Sequence, residues 1–378
     1  MPCIDRVLVV GAGIAGLALA RKLGSMGIEV DILERRPSPE AQGAGILLTG
    51  NAVRVFQELG LGRILVERGR RIRVIRFTDA RQRELFRVDC SGQPGWPEFF
   101  SIQREALQRI LLDAVLPVVP RWGMTLAFLY ESPDGVEATL SDGTLARYGL
   151  VVGADGVHSE LRRLLFGGPS VDPIKGFCGW RFLAKCPARL DAPQYMLGNG
   201  RTLLLHPLPG GEVYCGAGPV TEAVLEGASD LDRMRSAFST FGGCAAEVLA
   251  SVTASTPLIP TRYWHLEQRP WYVGSCVLIG DAAHACAPAL AQGGAMALED
   301  AIVLGELIGE QASLAEVLAA FEARRAPRVA HAQAESLRRM SANHPLDARG
   351  LALRDSILIN VGAARLLDAW APLMEASP

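Results

Sequence analysis

The residues best suited to chemistry lie in three separated clusters of glycines and carboxylates. The last runs from Val277 to Asp300: Val-Leu-Ile-Gly-Asp-Ala-Ala-His, then Pro288, Gln292-Gly293-Gly294 and a helical stretch. A buried strand ending in Asp281 places one carboxylate where burial costs free energy unless hydroxyls or N–H groups satisfy it. Ala282 and Ala283 leave room beside it, and Gly293 and Gly294 offer bare backbone N–H groups at a helix start, suited to partial negative charge on a ring carbonyl. The spacing fits a site for a polar cofactor better than a plain structural turn.

The first cluster, Gly11-Ala12-Gly13-Ile14-Ala15-Gly16, follows a strand and opens a helix. Gly11 makes the tight turn, Gly13 lets backbone approach a pyrophosphate, and Gly16 lets helix and strand pack closely. Glu34, at the end of the next strand, is placed to accept hydrogen bonds from an adenosine ribose, so the unit reads as dinucleotide-binding. The middle cluster, Leu150 to Arg162, repeats the strand, carboxylate, glycine plan with Asp155 and Gly156, and Ser159 is a candidate cap for the following helix. An ordinary Asp-Gly turn accounts for that segment almost as well. Arg104 falls in the first turn of a helix that Ser101 would cap, where the macrodipole disfavours a cation unless a phosphate is near; a solvated arginine is the plainer alternative.

Those residues need elements to hold them. Val7 to Val10, a helix with Leu17, Leu19, Ala20 and Leu23 on one face, and Val30 to Leu33 form a strand, helix, strand opening to a doubly wound sheet. Asn51 is a candidate cap for a helix with Ala52, Val55, Phe56 and Leu59 on its apolar face. Arginine-rich alternation from Ile72 to Val88 reads as one hairpin, and Val136 to Leu140 with Leu145 to Tyr148 as another, about Ser141-Asp142-Gly143-Thr144. Between Pro169 and Pro270 strand-like pieces at Gly179 to Ala184, Thr202 to His206 and Glu212 to Gly216 point to an antiparallel sheet in a second domain. Helical periodicity then runs to the end, with breaks expected near Pro327 and Pro345.

The 378 residues carry a formal net charge of -2 with scattered Lys and Arg, which gives no reason to expect nucleic acid. No uninterrupted apolar run approaches the roughly 20 residues of a bilayer span, and no secretion signal opens the chain. The eight cysteines form no C-x-x-C pair. A cytoplasmic protein with buried free thiols and no metal site is the expectation.

In order, GAGIAG with Glu34-Arg35, Asp155-Gly156, and Gly280-Asp281 with Pro288 and Gln292-Gly293 resemble the three motifs of single-component, FAD-dependent aromatic hydroxylases, the para-hydroxybenzoate hydroxylase family. The similarity covers about residues 4 to 330 and is nearest in feel to shorter members such as salicylate, urate and 6-hydroxynicotinate hydroxylases. Ala291 departs from the pattern, which often has glycine there. The resemblance implies an α/β fold: a Rossmann-like FAD-binding domain (1–70, 98–168 and 271–330), an inserted antiparallel-sheet substrate domain (71–97 and 169–270), and C-terminal helices (331–378).

It also implies FAD with its pyrophosphate on Gly11, Gly13, Ala15 and Gly16, and its ribose on Glu34. Arg35 would lie nearby and Arg104 near the phosphates, with Gly45 and Ile46 beside the ring. Asp281 would bind the ribityl chain or phosphate, and Pro288, Gln292, Gly293 and Gly294 would line the isoalloxazine, while Asp155 and Gly156 serve FAD and NADH or NADPH together. The implied mechanism is reduction by NAD(P)H, addition of O2 to give a flavin C4a-hydroperoxide, and transfer of its distal oxygen to a small aromatic or heteroaromatic substrate.

Strand alternation makes Arg201 and one of His206 or Tyr214 candidates to face the flavin. His206 reads more readily as a satisfied core histidine than as a base, Trp180 and Arg181 equally as pocket-closing or packing residues, and His284 as structural. A dehydrogenase or reductase without oxygen transfer, or a non-catalytic flavin-binding redox sensor, would keep the same cofactor residues. A halogenase would need a Trp-x-Trp-x-Ile-Pro element that this sequence lacks. The C-terminal helix around Ile357 and Trp370 would cover the core or make a dimer, so a monomer or a homodimer is expected.

Overall fold

Strand Arg6–Val10 is apolar on both faces, so it belongs at the centre of a sheet covered on both sides. The computed structural model, which describes residues 4–39, 43–132, 135–167, 171, 173–220, 229–267, 269–342 and 346–378, places it there. The six-stranded sheet runs Tyr272–Val273, Cys276–Leu278, Leu150–Gly153, Arg6–Val10, Glu29–Glu34, Arg121–Trp122. All neighbours are parallel except the outer pair Tyr272–Val273 and Cys276–Leu278. The three chemistry-bearing clusters therefore follow three adjacent parallel strands and emerge at the same sheet edge, where ligands of such folds bind.

Helix Ile14–Ser25 packs on this sheet and against Gly293–Glu310, which is buried almost throughout. Gly305 receives the stem of Lys22 from the first helix, a contact that a Cβ would obstruct.

A seven-stranded sheet forms the second layer, in the order Ile259–Trp264, Pro173–Lys185, Glu212–Val220, Thr202–Pro207, Gln194–Leu197, Val74–Asp79, Glu84–Asp89. It joins the arginine-rich hairpin to the later strands, as the period-2 patterns require. It is not purely antiparallel: Gln194–Leu197 runs parallel to Val74–Asp79. Leu203, Leu205, Phe182 and Val213 point to one face and form a core of their own with Met234, Phe238 and Val248 of two short helices. The opposite face looks toward the parallel sheet.

Several local expectations change. Ser101 lies inside strand Phe99–Gln103, paired across to Leu47 and Arg70, so Gln103 is the N-cap residue of helix Arg104–Ala114. Thr49, not Asn51, is the N-cap residue of Gly50–Glu58. Pro327 does not break its helix: Leu314–Ser341 runs through it, opened by a capping box of Ser313 and Glu316. Pro345 and Pro169 fall outside the described residues, as does Cys3; the other seven cysteines are free. The final helix, Ala348–Glu375, is long and apolar enough to cross a bilayer, which the run-length reading missed because charged residues interrupt it.

Candidate FAD and substrate site

Helix Ile14–Ser25 begins at Gly13 with no side-chain cap, leaving its first N–H groups open, and a Cβ on Gly13 would meet nothing within 4 Å. An uncapped helix start beside open space suits a phosphate. Gly11 and Gly16 are crowded instead. Gly11 takes φ +111° with its α-carbon against the Ala154 carbonyl, and a Cβ on Gly16 would drive into the Gly11 carbonyl. The first and second clusters thus touch through backbone.

Glu34 is buried at 7% exposure. It accepts from the Ala12 N–H at 3.0 Å, and from the Arg36 N–H at 3.0 Å and Nε at 3.2 Å. Burial opposes its charge, but these bonds, led by the Arg36 backbone N–H, hold its pKa below the ordinary value. Arg36 makes these bonds to Glu34, while Arg35 beside it is exposed.

Asp155 turns back on its own segment. Its Oδ2 accepts from the Glu160 N–H at 2.7 Å and the Leu161 N–H at 3.2 Å, while Oδ1 is buried without a partner and burial raises the pKa. Gly156 follows with φ +78°. Ser159 caps helix Glu160–Phe166 as expected, accepting from the Arg162 N–H. Arg162, whose role the sequence did not signal, donates to the Ala282 carbonyl at 2.8 Å and the Val157 carbonyl at 2.6 Å, tying the second cluster to the third.

In the third cluster Asp281 is exposed, not buried: Gly280 takes φ +60° and turns the chain so that Asp281 starts helix Asp281–His284 facing the cleft. The carboxylate that is buried is Asp300. It accepts from the Gly280 N–H at 2.8 Å, Arg325 Nε at 2.8 Å and His284 Nε2 at 2.7 Å. Gln292 is also fully buried, and its side chain is spent on Thr49 at 3.1 Å and Asn51 at 3.0 Å. Only its backbone is left for a ring. Pro288 is exposed, and Gly293 and Gly294 open an uncapped helix, with Gly294 against Ile46 and Gly293 against Asp281. Ala291 sits at φ 57°, ψ 34°, a left-handed backbone that explains why glycine is common at this point.

Across the cleft, a Cβ on Gly45 would lie 2.6 Å from the Tyr214 ring. Arg104 packs on Gly43, and its charged and polar neighbours are Asp281, Tyr214, Arg181 and Arg36, so one arginine faces all three walls. Tyr214 bonds Arg181 through its hydroxyl. His206 stands behind Tyr214, wholly buried, with neither ring nitrogen bonded; burial, then the Arg181 charge, push its pKa down to about 3. It is a neutral imidazole, and not the satisfied one expected. Arg201 is not brought to the cleft. It shares the strand phase of Leu203 and Leu205, on the helix-covered face, and donates to the Ala237 carbonyl at 3.1 Å. Trp180 points the same way and bonds Asp230, whereas Arg181 faces the cleft. Among the described residues no group of His, Cys, Asp and Glu could hold a metal.

A family profile described as FAD binding domain matches residues 5–176 and 244–336. A 3-amino-4-hydroxybenzoate 2-monooxygenase of Streptomyces platensis is 33% identical over 389 residues, 99% of this chain and 97% of its own length. The chain belongs to the FAD-dependent aromatic hydroxylase family. A FAD-dependent urate hydroxylase of Klebsiella pneumoniae is 30% identical to the hydroxylase, covering 90% of this chain and 91% of its own length. The crystal structure of Klebsiella pneumoniae HpxO with FAD and uric acid superposes with a TM-score of 0.86 at 25% identity, covering 99% of this chain and 97% of that one.

The residues present fit FAD. An uncapped helix start, the open space at Gly13, a buried carboxylate at Glu34 and a second uncapped helix at Gly293 lie along one cleft. The hydroxylase is an FAD-dependent monooxygenase of small aromatic or heteroaromatic compounds, using O2 and NAD(P)H as its family does.

Proposed function

We propose that the hydroxylase acts on a substrate carrying negative charge, held between the flavin ring and the sheet face presenting Arg181 and Tyr214. The observation that carries this is Arg181. It is largely enclosed by protein, its neighbours are the hydroxyls of Tyr214, Tyr263 and Tyr195, and among the described residues no carboxylate pairs with it. Arg325, by contrast, is buried against two carboxylates, and Arg162 is buried against two backbone carbonyls. An enclosed cation without an anion costs several kcal/mol, and an ionised substrate group removes that cost when it binds. The relatives' substrates, an aminohydroxybenzoate and urate, are acids, in keeping with this reading.

Bound FAD, reduced by NADH or NADPH, supplies the oxygen-transfer chemistry. In this reading Gly11, Gly13, Ala15 and Gly16 take the pyrophosphate and Glu34 the ribose. Arg104 and Asp281 take the phosphate and ribityl region, and Gly45, Ile46, Pro288, Gly293, Gly294 and the Gln292 backbone frame the ring. Asp155 and Gly156 serve both dinucleotides. Tyr214 orients the substrate through its hydroxyl, which Arg181 fixes, while His206 keeps the space behind it dry and uncharged. Residues 71–97 and 169–270 form the substrate-binding unit. We place the enzyme in the cytoplasm, acting without nucleic acid or membrane, as a monomer or homodimer.

The test is stimulated NAD(P)H oxidation by the holoenzyme with paired probes, benzoates against the matching benzamides, with and without oxygen. Acids alone should stimulate turnover and give an oxygenated product, and Arg181→Met should abolish the preference. Equal stimulation by the neutral amides would overturn the anionic reading.

A further inference from the structure

A second guanidinium faces the same cleft without a counter-ion. Arg339 lies near the end of helix Leu314–Ser341, and its Nε is buried with no hydrogen-bond partner. No ion pair or hydrogen bond engages it among the described residues; Glu335, one turn earlier, is paired with Arg338. Its neighbour across the gap is the Tyr195 hydroxyl.

Tyr195 fixes which side of the sheet this is. It stacks on Phe77 with ring centroids 4.8 Å apart, meets His206 edge-on at 5.4 Å, and pairs across the ladder with Leu204. Leu204 pairs in turn with Gly216, and Gly216 with Arg181. Tyr195, Leu204, Gly216 and Arg181 therefore form one row on the cleft face, with Arg181 at one end. The C-terminal helices close the other end. Gly362 abuts Phe86, Arg354 donates to the Gly198 carbonyl at 2.6 Å, and Asn199 bonds the Leu346 carbonyl at 2.9 Å. Arg339 is half-buried, and enclosing its Nε with the N–H unmet is unfavourable in the protein alone.

We infer that Arg339 is a second substrate-recognition residue, so that the substrate presents two acidic or strongly accepting groups, one to Arg181 and Tyr214 and the other to Arg339 and Tyr195. This rests on the anionic reading of the cleft and extends it to a two-point fit, with an aromatic ring spanning the row between the guanidinium groups. Singly substituted aromatics would engage one end only and slide.

The test compares wild-type, Arg339→Met and Arg181→Met holoenzymes. Binding of 4-hydroxybenzoate, benzoate and phenol is followed by perturbation of the flavin absorbance, and melting temperatures are recorded without ligand. Arg339→Met should weaken 4-hydroxybenzoate at least about tenfold while changing the weaker binding of one of the singly substituted probes by less than about twofold. Its melting temperature should be unchanged or higher, since a half-buried guanidinium with an unmet Nε–H is replaced by an apolar chain of similar length. If Arg181→Met alone affects 4-hydroxybenzoate, the anionic cleft stands and the role of Arg339 fails. If neither variant does, both fail. Should wild-type enzyme respond to none of the probes, the melting temperature decides: a clear fall in Arg339→Met marks a structural arginine and overturns the proposal, and an unchanged value or a rise supports it.

Discussion

Arg325 Nε lies 2.8 Å from Asp300 Oδ1, and neither side chain has any exposure to solvent. From this pair a continuous polar chain extends both ways. Asp300 reaches the Gly280 N–H and His284, and Arg325 reaches Glu299 at 2.6 Å, which is held in turn by Arg328 and Asn51. Asn51 and Thr49 carry it to Gln292. Both turns expected to hold the flavin, at Gly280 and at Gln292, are thus fixed by one network from behind.

Removing one member should show this. Asp300→Ala strands a buried guanidinium and the Gly280 N–H, and we expect a loss of about 3–5 kcal/mol in urea unfolding. Flavin content of the purified protein should fall as well. Burial opposes the Asp300 charge, but His284, Arg325 and the Gly280 N–H lower its pKa to about 2. Because the folded value is depressed, this contribution is complete above the ordinary 3.8 and is lost as pH falls toward about 2. Wild-type stability should decline through that window, and Asp300→Asn should flatten the decline. An unaltered acid limb in Asp300→Asn would exclude the carboxylate as its source.

Asp281 behaves oppositely because it faces the cleft. Asp281→Ala should leave apoprotein stability within about 0.5 kcal/mol, as for surface changes generally. FAD should bind at least about tenfold more weakly, a difference of roughly 1.4 kcal/mol. Equilibrium titration of apoprotein with FAD measures it, and full occupancy in the variant would remove Asp281 from the cofactor site.

Gly45→Ala puts a methyl group into the Tyr214 ring. Overpacking of this kind costs about 1–3 kcal/mol, and the ring must shift away from Arg181. The expected signature is retained FAD with weakened substrate response, read as NAD(P)H oxidation that no longer yields product in proportion. Unchanged coupling would mean that Tyr214 does not orient the substrate.

Ala291→Gly relieves a left-handed backbone that costs an L residue roughly 1–2 kcal/mol, against about 0.5–1 kcal/mol of added chain entropy. We expect the variant to be as stable as wild type or slightly more so by thermal melting. A loss above about 1 kcal/mol would show that the Ala291 methyl packs usefully.

The parallel sheet was legible because fully buried strands leave unbroken apolar runs, and Gly11, Gly16 and Gly280 mark turns that a side chain would block. Period-2 alternation gave the strands Thr202–Pro207 and Glu212–Val220. It did not give their phase: nothing local says which face of a two-sided sheet looks toward the cofactor, and Arg201 was placed on the wrong one. Asp281 was expected to be buried, and Asp300 is the one that is, for a related reason. Both are carboxylates beside apolar stretches, and only Arg325, 25 residues beyond Asp300, reveals which is buried. Arg181 and Arg339 are informative through what does not surround them, which no window of sequence can display.

The order of strands in the parallel sheet has a consequence for how the molecule is made. Strand Arg6–Val10 is synthesised long before Leu150–Gly153, its neighbour on one side, and before Cys276–Leu278, which pairs with Leu150–Gly153 in turn. Its apolar flank must wait on the ribosome for well over a hundred residues, and the Gly280 turn then waits in its own right for Arg325 to complete its support. During that interval the nascent chain exposes an unpaired strand edge, which is when a chaperone, or early capture of free FAD by the first glycine loop, would most improve its yield.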